Sequence, residues 1–413
     1  MYNWKKARLR ELIDIKHGFA FSGEYFSSNG PGDILMTPGN FAIGGGFQWG
    51  KRKYYSGPVP EEYVLQSGDL VVTMTDLSKE ADTLGYSAVV PSCDERLLHN
   101  QRIGKVVTRT DDVDLQFLYW VMRSKAYREE VLASATGSTV KHTSPTKILA
   151  FQLVLPSLHE QIAIASVLGA LEDKIDGNRR INETLEAMAR AIFMNWFLQR
   201  SDGLTRSRVS DLITSGIMKI GDGYRAKNDE MGSPGLPFIR ARELNNGFDT
   251  HEAEVLNERS VLAARDKVSR IGDVAFTSKG TIGRFARVAA QTPQFVYSPQ
   301  VCFWRSVDPA RLRPAILYLW MVSDDLIGQI DAVAGQTDMA PYVSLRDQRA
   351  MKMPVFGEDQ HAVADMVEPL FALQDANLAE MRVLAATRDL LLPKLMSGEV
   401  RVRDVERVAE AAL

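Results

Sequence analysis

A chain of 413 residues, 45% hydrophobic and 24% charged, with a net charge of −3, has the composition of an ordinary globular protein of about two or three domains. No apolar run approaches the ~18 residues that span a bilayer, and the opening "MYNWKKARLR" lacks a signal-peptide core, so a cytoplasmic protein without membrane contact is expected. Cys93 and Cys302 are the only cysteines. That excludes a disulfide framework, and both read as small buried apolar residues in a reducing compartment. The charge balance carries no bulk signal for nucleic acid, which leaves local basic patches as the only ground for such a reading.

In chain order, the first 155 residues mix two patterns. "DLVVTMT" and "IGKVVTRT" are β-branched runs bounded by Gly and Asp, which predicts strands. "LQFLYWVMRSKAYREEVLASA" keeps its apolar residues at helical spacing. Tyr119 and Trp120 on that helix, like Tyr318 and Trp320 on a later one, read as core residues. Between these elements runs a Gly-rich loop, "PGNFAIGGGFQWGKRKYY". After Pro156, Ser157 and Glu160 form an S-x-x-E capping box that opens a helix. From there Ile164, Leu168, Leu171, Ile175, Asn178, Asn182, Leu185, Ala189, Ile192 and Trp196 alternate spacings of three and four, a heptad seam with two polar positions. The helix ends in the aromatic stretch "AIFMNWF", where Trp196 and Phe197 either cap a globular part or dock a partner.

The pattern then starts again. "RLRELI" (8–13) returns as "RVSDLI" (208–213), and "GDLVVTMT" (68–75) as "GDVAFTSK" (272–279). "NQRIGKVV" (100–107) aligns with "PQVCFWRS" (299–306), and "FLYWVMRS" (117–124) with "LYLWMVSD" (317–324). The hinge "LPSLHEQIAI" (155–164) is echoed by "MPVFGEDQHAV" (353–363). A collinear series at one offset is a tandem duplication. The second helical part carries Val363, Val367, Leu370, Gln374, Asn377, Met381, Leu384 and Leu391 in the same phase as the first. Asn178 and Asn377 then fall at equivalent seam positions, where a buried Asn specifies register. Pro369 predicts a kink or an interrupted start in the second helix. The fold class expected is α+β: two duplicated globular domains separated by two long helices forming an antiparallel coiled coil. The boundaries are 1–155 and 201–354 for the domains, 156–200 and 355–400 for the helices, and 401–413 for a tail.

Signals for chemistry in the chain itself are absent. "HEQIA" (159–163) begins like H-E-x-x-H but has Ala163 where the second zinc ligand belongs. There is no phosphate-binding G-x-x-x-x-G-K-[ST], no Asn/Asp-Pro-Pro-aromatic motif, and no paired histidine spacing. The chain reads as non-enzymatic, with no cofactor or metal of its own.

The doubled "LP…EQ" and "MP…DQ" hinges, "GSTVKHTSPTKI", "GDVAFTSKGTIG", "AIFMNWF" and the ending "RDLLLPKLMSGEV" resemble a specificity subunit of a type I restriction–modification enzyme, over essentially the whole chain. The resemblance implies two target recognition domains, each reading half of a bipartite, asymmetric target in double-stranded DNA. It implies helices that set the spacer and dock two methyltransferase subunits, with restriction subunits joining them. S-adenosylmethionine would belong to the methyltransferase subunit, and ATP with magnesium to the restriction subunit. A methylation-only system without a restriction subunit, or a coiled-coil scaffold, are the alternatives.

Groove readout needs Arg/Lys forks, amides and hydroxyls on protruding turns. In the first half the candidates are Gln48, Lys51, Arg52 and Lys53, interleaved with Trp49 and Tyr54, then Thr75 and Lys79, then Lys141 and His142. In the second half they are Lys279, Thr281 and Arg284 around two glycines, and Arg240 with Arg242, which face one side if their segment is extended. Asn178, Asn182, Asn377, Trp196 and Phe197 are the candidates for helix register and assembly.

Overall fold

The computed structural model describes residues 4–78, 80–200, 203–244, 247–251, 253–334 and 342–403. They form two compact units, Met1–Ile175 with Val383–Leu413, and Asp176–Arg382.

In the first unit a four-stranded antiparallel sheet runs in the order Ile13–His17, Ile103–Thr108, Leu70–Thr73, Ser87–Val89. Its strand Leu70–Thr73 is buried at every position, because both faces are covered. Leu70 and Val72 pack toward the helices Leu115–Val121 and Lys125–Ser134, and Val71 toward a second, five-stranded sheet. An unbroken apolar run is what a strand covered on both sides requires. The second sheet contains one parallel pair, Leu97–His99 beside Asp33–Met36. Tyr119 and Trp120 are buried, as their spacing predicted.

The second unit repeats the plan. Its four-stranded sheet runs Met218–Gly221, Val301–Ser306, Val274–Thr277, Phe285–Arg287, and its second sheet again holds a parallel pair, Phe238 beside Val296. Tyr318 and Trp320 are buried on the helix Pro314–Met321. Cys302 is buried, whereas Cys93 is only partly so. In both units the entering strand pairs with the leaving one: Lys5–Arg8 with Gln152–Leu155, and Arg206–Arg208 with Lys352–Pro354. The registers correct one alignment. Ile103 lies opposite Thr73, and Val301 lies opposite the equivalent Thr277. Asn100 therefore corresponds to Ser298, not to Pro299.

The first long helix spans Leu158–Leu198. The serine half of the expected capping box forms: the Glu160 backbone N–H donates to Ser157 Oγ at 3.4 Å, while the Ser157 hydroxyl donates to Glu160 Oε2 at 3.1 Å. The second helix, without a capping serine, starts at Gln360 and continues to Ser397. The interruption expected at Pro369 does not occur, because the helix passes through it unbroken. Val363, Ala364, Val367 and Phe371 around that proline are buried, and their packing offsets the ~3 kcal/mol that an internal proline costs.

The helices pair antiparallel within each unit. In the first unit Ile164 and Leu168 share a core with Leu391, Leu392 and Leu395. In the second, Asn178 Nδ2 donates to Glu380 Oε2 at 2.7 Å, and Asn377 Nδ2 to Asn182 Oδ1 at 2.8 Å. Asn182 and Gln374 also exchange side-chain-to-backbone bonds at 3.3 and 3.1 Å. Asn377 thus pairs with Asn182. Phe193, Trp196 and Phe197 are buried against Phe356, and Trp196 Nε1 donates to Asp359 at 3.1 Å. The aromatic end of the first long helix is core in this unit.

The acid–Gln hinge has the same structural use twice. Gln161, fully buried, donates to the carbonyls of Asp112 at 2.9 Å and Pro156 at 3.0 Å, and accepts from the Asp114 N–H at 2.9 Å. Gln360 donates to the carbonyls of Arg311 and Gly357, both at 3.1 Å, and accepts from the Arg313 N–H at 3.0 Å. Each glutamine clamps the loop that opens a domain helix onto the start of a long helix. Replacing Gln161 by Ala leaves one donor and two acceptors unpaired in a dry site, at about 1–3 kcal/mol each before relaxation. Gln161→Ala is expected to lower stability by about 3 kcal/mol. Gln161→Glu, which cannot donate to the two carbonyls at neutral pH, should do no better. Urea midpoints at constant slope measure both.

Candidate nucleic-acid interface

The Gly-rich loop of the first unit divides into two parts with different uses. Gly44, Gly45 and Gly46 all have φ near +90°; Gly45 lies against the Arg123 side chain and Gly46 against the Tyr119 hydroxyl. A Cβ on Gly45 would come within 2.6 Å of the Arg123 side chain. Arg123 is buried, donates through Nε to Gly44 O at 2.8 Å, contacts the Tyr119 hydroxyl, and reaches Glu172 Oε1 at 3.2 Å. Glu172 also receives Arg388 at 2.5 Å. These glycines anchor the loop to the helix pair rather than offering it to a ligand.

The other part of the loop is open. Lys51, Arg52 and Lys53 line a cleft of about 310 Å³ with Phe26, Ser27, Ser28 and Thr37. Phe26 and Lys53 continue into a smaller cleft beside Asn100, Gln101 and Arg102. Lys53 Nζ sits 3.9 Å from the centre of the Phe26 ring. Arg52 is less free: its guanidinium lies 4.8 Å from the Trp49 ring centre and pairs with Glu95 at 3.1 Å. Gln48 spends its amide donors on the carbonyls of Gly39 at 3.2 Å and Phe41 at 3.0 Å. Buried Asn40 holds this loop from beneath, donating to Trp49 O at 2.8 Å and accepting from the Thr37 N–H at 2.8 Å.

Thr75, Lys141 and His142 come together although 67 residues separate Thr75 from His142. Thr75–Asp76 pairs with Lys141–His142, and Thr75 Oγ1 lies 3.3 Å from His142 Nδ1. Burial works against ionisation of Asp76, but bonds from the Thr83 hydroxyl and the N–H groups of Ser78 and Thr83 outweigh it and hold the carboxyl below its ordinary range. The neighbouring Met74 N–H donates to Arg102 O at 2.9 Å, which joins this ladder to the Asn100–Arg102 turn. Lys79 lies outside the described residues. Asn100, Gln101 and Arg102 were not among the sequence candidates. An amide–amide–Arg run directly after a strand was the available signal.

In the second unit the structure brings Arg240, Arg242 and Arg284 together, but not as an extended face. The strand ends at Ile239, and Ala241–Glu243 forms a 3-10 turn capped by the Glu243 carboxylate on the Arg240 N–H at 2.9 Å. Arg240 turns to Glu254 at 2.5 Å, and Arg242 bonds to Glu243. The expectation that the two arginines share one side of a strand fails because the turn gives each its own carboxylate. The Arg240 bond holds the Glu254 carboxyl below its ordinary range. Arg284 donates to Ala241 O at 3.2 Å across the Gly280 and Gly283 turn, whose φ values are +81° and +90°. Thr281 is exposed. Lys279 is exposed, pairs with Tyr342 through the backbone, and lies 5.9 Å from that ring. It occupies the ladder position that Thr75 holds in the first unit. Among the described residues no group of three or more His, Cys, Asp or Glu is arranged to hold a metal ion, and no helix is long and apolar enough to cross a membrane.

Two copies of one α+β domain, each followed by a long helix, define the class of fold as a tandem duplication. Comparison with known proteins agrees. The family described as "Type I restriction modification DNA specificity domain" matches residues 1–187. The type I restriction enzyme MjaIX specificity subunit of Methanocaldococcus jannaschii is 24% identical over 339 residues, covering 78% of this chain and 76% of that one. The EcoBI specificity subunit of Escherichia coli is 25% identical over 439 residues, covering 96% and 86%. The crystal structure of a type I restriction–modification S subunit from M. genitalium shares the fold, with a TM-score of 0.56 at 16% identity over 95% of this chain and 96% of that one. The family match covers the first 187 of the 413 residues, and over most of its length the chain is similar to specificity subunits of type I restriction enzymes.

The anchor beneath the first domain's loop has a pH signature. Burial pushes the Glu172 carboxyl up, but Arg123 and then Arg388 pull it further down, below its ordinary range. Such a carboxylate contributes its full stability above the unfolded-state value of about 4.3 and loses it as pH falls through the lower folded value. Glu172→Gln is expected to destabilise by about 2–3 kcal/mol at pH 7, since it leaves buried Arg123 without a carboxylate and Arg388 with Asp389 alone. The gap between variant and parent should narrow below about pH 4, read from urea midpoints across pH.

Proposed function

We propose that this chain reads a bipartite, asymmetric duplex DNA target, one half with each domain, while the helix pair sets the spacing and docks methyltransferase subunits. The observation that carries the reading is that one arrangement of turns occurs twice with different side chains. In both domains the turn after the parallel-paired strand meets the ladder built on the central strand, first as Asn100–Arg102 beside Thr75 and then as Gln300 beside Lys279. One scaffold bearing two chemistries fits a target whose halves differ. The likeness to type I specificity subunits supports the partners proposed: duplex DNA, methyltransferase subunits and, in a complete system, restriction subunits.

In this reading Lys51, Lys53, Lys141 and Lys279 meet phosphates, which position a protein on DNA without carrying sequence. Thr75, His142, Thr281 and Arg284 approach the groove edges. Arg240 and Arg242 exchange their carboxylates for phosphates on binding. Asn178, Asn182 and Asn377 fix the helix register, because the bonds of Asn178 to Glu380 and of Asn377 to Asn182 exist in one alignment only. Chemistry on the DNA falls to the partners, whose methyl donor and nucleotide are not held by this chain.

Titration of labelled target duplex with the purified chain–methyltransferase complex, across salt, tests this. The affinity should fall linearly in log–log form, and Lys53→Ala should reduce the slope by about 1 while weakening all sequences alike. Affinity indifferent to both salt and sequence would sink the DNA reading. A second measurement addresses spacing. Removing one heptad from each long helix, after Asn182 and at the facing turn of the other, should alter the spacer or abolish binding, with both half-site sequences unchanged by methylome sequencing. Altered half-site bases would place recognition elsewhere.

A further inference from the structure

The turn that follows the parallel-paired strand is built the same way in both units. In the first, His99 O accepts from Phe19 N–H at 2.8 Å, Asn100 O from Ile103 N–H at 2.9 Å, and Arg102 O from Met74 N–H at 2.9 Å. In the second, Tyr297 O accepts from Tyr224 N–H at 2.7 Å, Ser298 O from Val301 N–H at 3.0 Å, and Gln300 O from Ser278 N–H at 3.0 Å. A glycine clamps each turn. A Cβ on Gly18 would come within 2.3 Å of Asn100 O, and one on Gly223 within 2.0 Å of Ser298 O. Together with the strand registers, these bonds make Arg102 and Gln300 one position of the fold.

That position combines two properties. Its backbone is held by the sheet and by the clamped turn, so the side chain leaves from a fixed origin. The side chain itself is exposed in both units and makes no hydrogen bond or ion pair among the described residues. Arg52, Arg240 and Arg242 differ, since each already engages a glutamate. A fixed backbone with a free fork is the arrangement that direct base reading needs, because little order is left to impose on binding.

We propose that position 102/300 is the specificity-determining position that makes the two half-sites differ, with Arg102 reading a guanine and Gln300 an adenine. The guanidinium fork matches the O6 and N7 acceptors of guanine in the major groove, and the carboxamide matches the N6 donor and N7 acceptor of adenine. This rests on the DNA reading given above.

The test uses the full chain with its methyltransferase subunits and a library of random duplexes, sequencing those retained. Arg102→Gln should replace one guanine by adenine in one half-site, shifting discrimination there roughly 5- to 150-fold. The other half-site and the spacer should stay as they were. Gln300→Arg should do the converse in the other half-site, and neither change should move the melting temperature, as both side chains are exposed. The wild-type target returned by both variants overturns the assignment. Equal weakening on every sequence overturns it too, by making the position a phosphate contact. A base change produced by only one variant overturns the equivalence of the two positions. A parent complex without sequence or salt dependence instead counts against the DNA reading itself, whatever the variants do.

Discussion

Everything else in each unit depends on one buried carboxamide. A domain that extends a long helix keeps a fixed orientation to it only if the joint between them is rigid. Gln161 and Gln360 remove the joint by closing three hydrogen bonds between a long helix and the loop that opens a domain helix. Glutamine suits this task because one side chain both donates twice and accepts. An acid in its place lacks the donors and a lysine lacks the acceptor. The burial that makes each bond strong also makes each loss expensive, so the joint is fully made or badly broken.

The helix pair uses polar groups in the same spirit. Asn178, Asn182 and Asn377 lie in an otherwise apolar seam, where a leucine would pack more favourably. Each Asn instead requires a partner at one height: Glu380 for Asn178, and Asn182 for Asn377. Sliding one helix by a turn would leave several buried amides unpaired. Stability is exchanged for register. The network of Glu172 with Arg123 and Arg388 extends this control to the Gly44–Gly46 loop.

How much of this was legible in the sequence depended on range. The duplication, the cap at Ser157 and the seam positions are local or periodic, and they stand in the structure as read. The hinge glutamine was visible as a repeated letter, but its partners in the domain loop, Asp112 and Asp114, lie 49 and 47 residues away, beyond any local pattern. Arg240 and Arg242 were read as strand neighbours because nothing in "FIRARE" announces that Glu243 caps a 3-10 turn. Nothing in the Gly-rich loop's letters shows that Gly45 makes room for Arg123, a partner 78 residues away. The most consequential miss was a single residue. Asn100 was aligned with Pro299 because letters alone do not reveal strand register. A slip of one inverts every side chain along a strand, and it hid the correspondence of Arg102 with Gln300.

The composition of the two units also bears on synthesis. The second is one continuous stretch, Asp176–Arg382, whereas the first needs Val383–Leu413 to complete it. On a ribosome making 5–20 residues per second, roughly 220 residues separate Ile175 from Leu395, a delay on the order of 10–40 s. Throughout it Ile164 and Leu168 lack the leucines that cover them in the finished core. The domain made first is therefore the last to close, and its open apolar stripe is where a nascent chain of this kind is most exposed to aggregation or to capture by a chaperone.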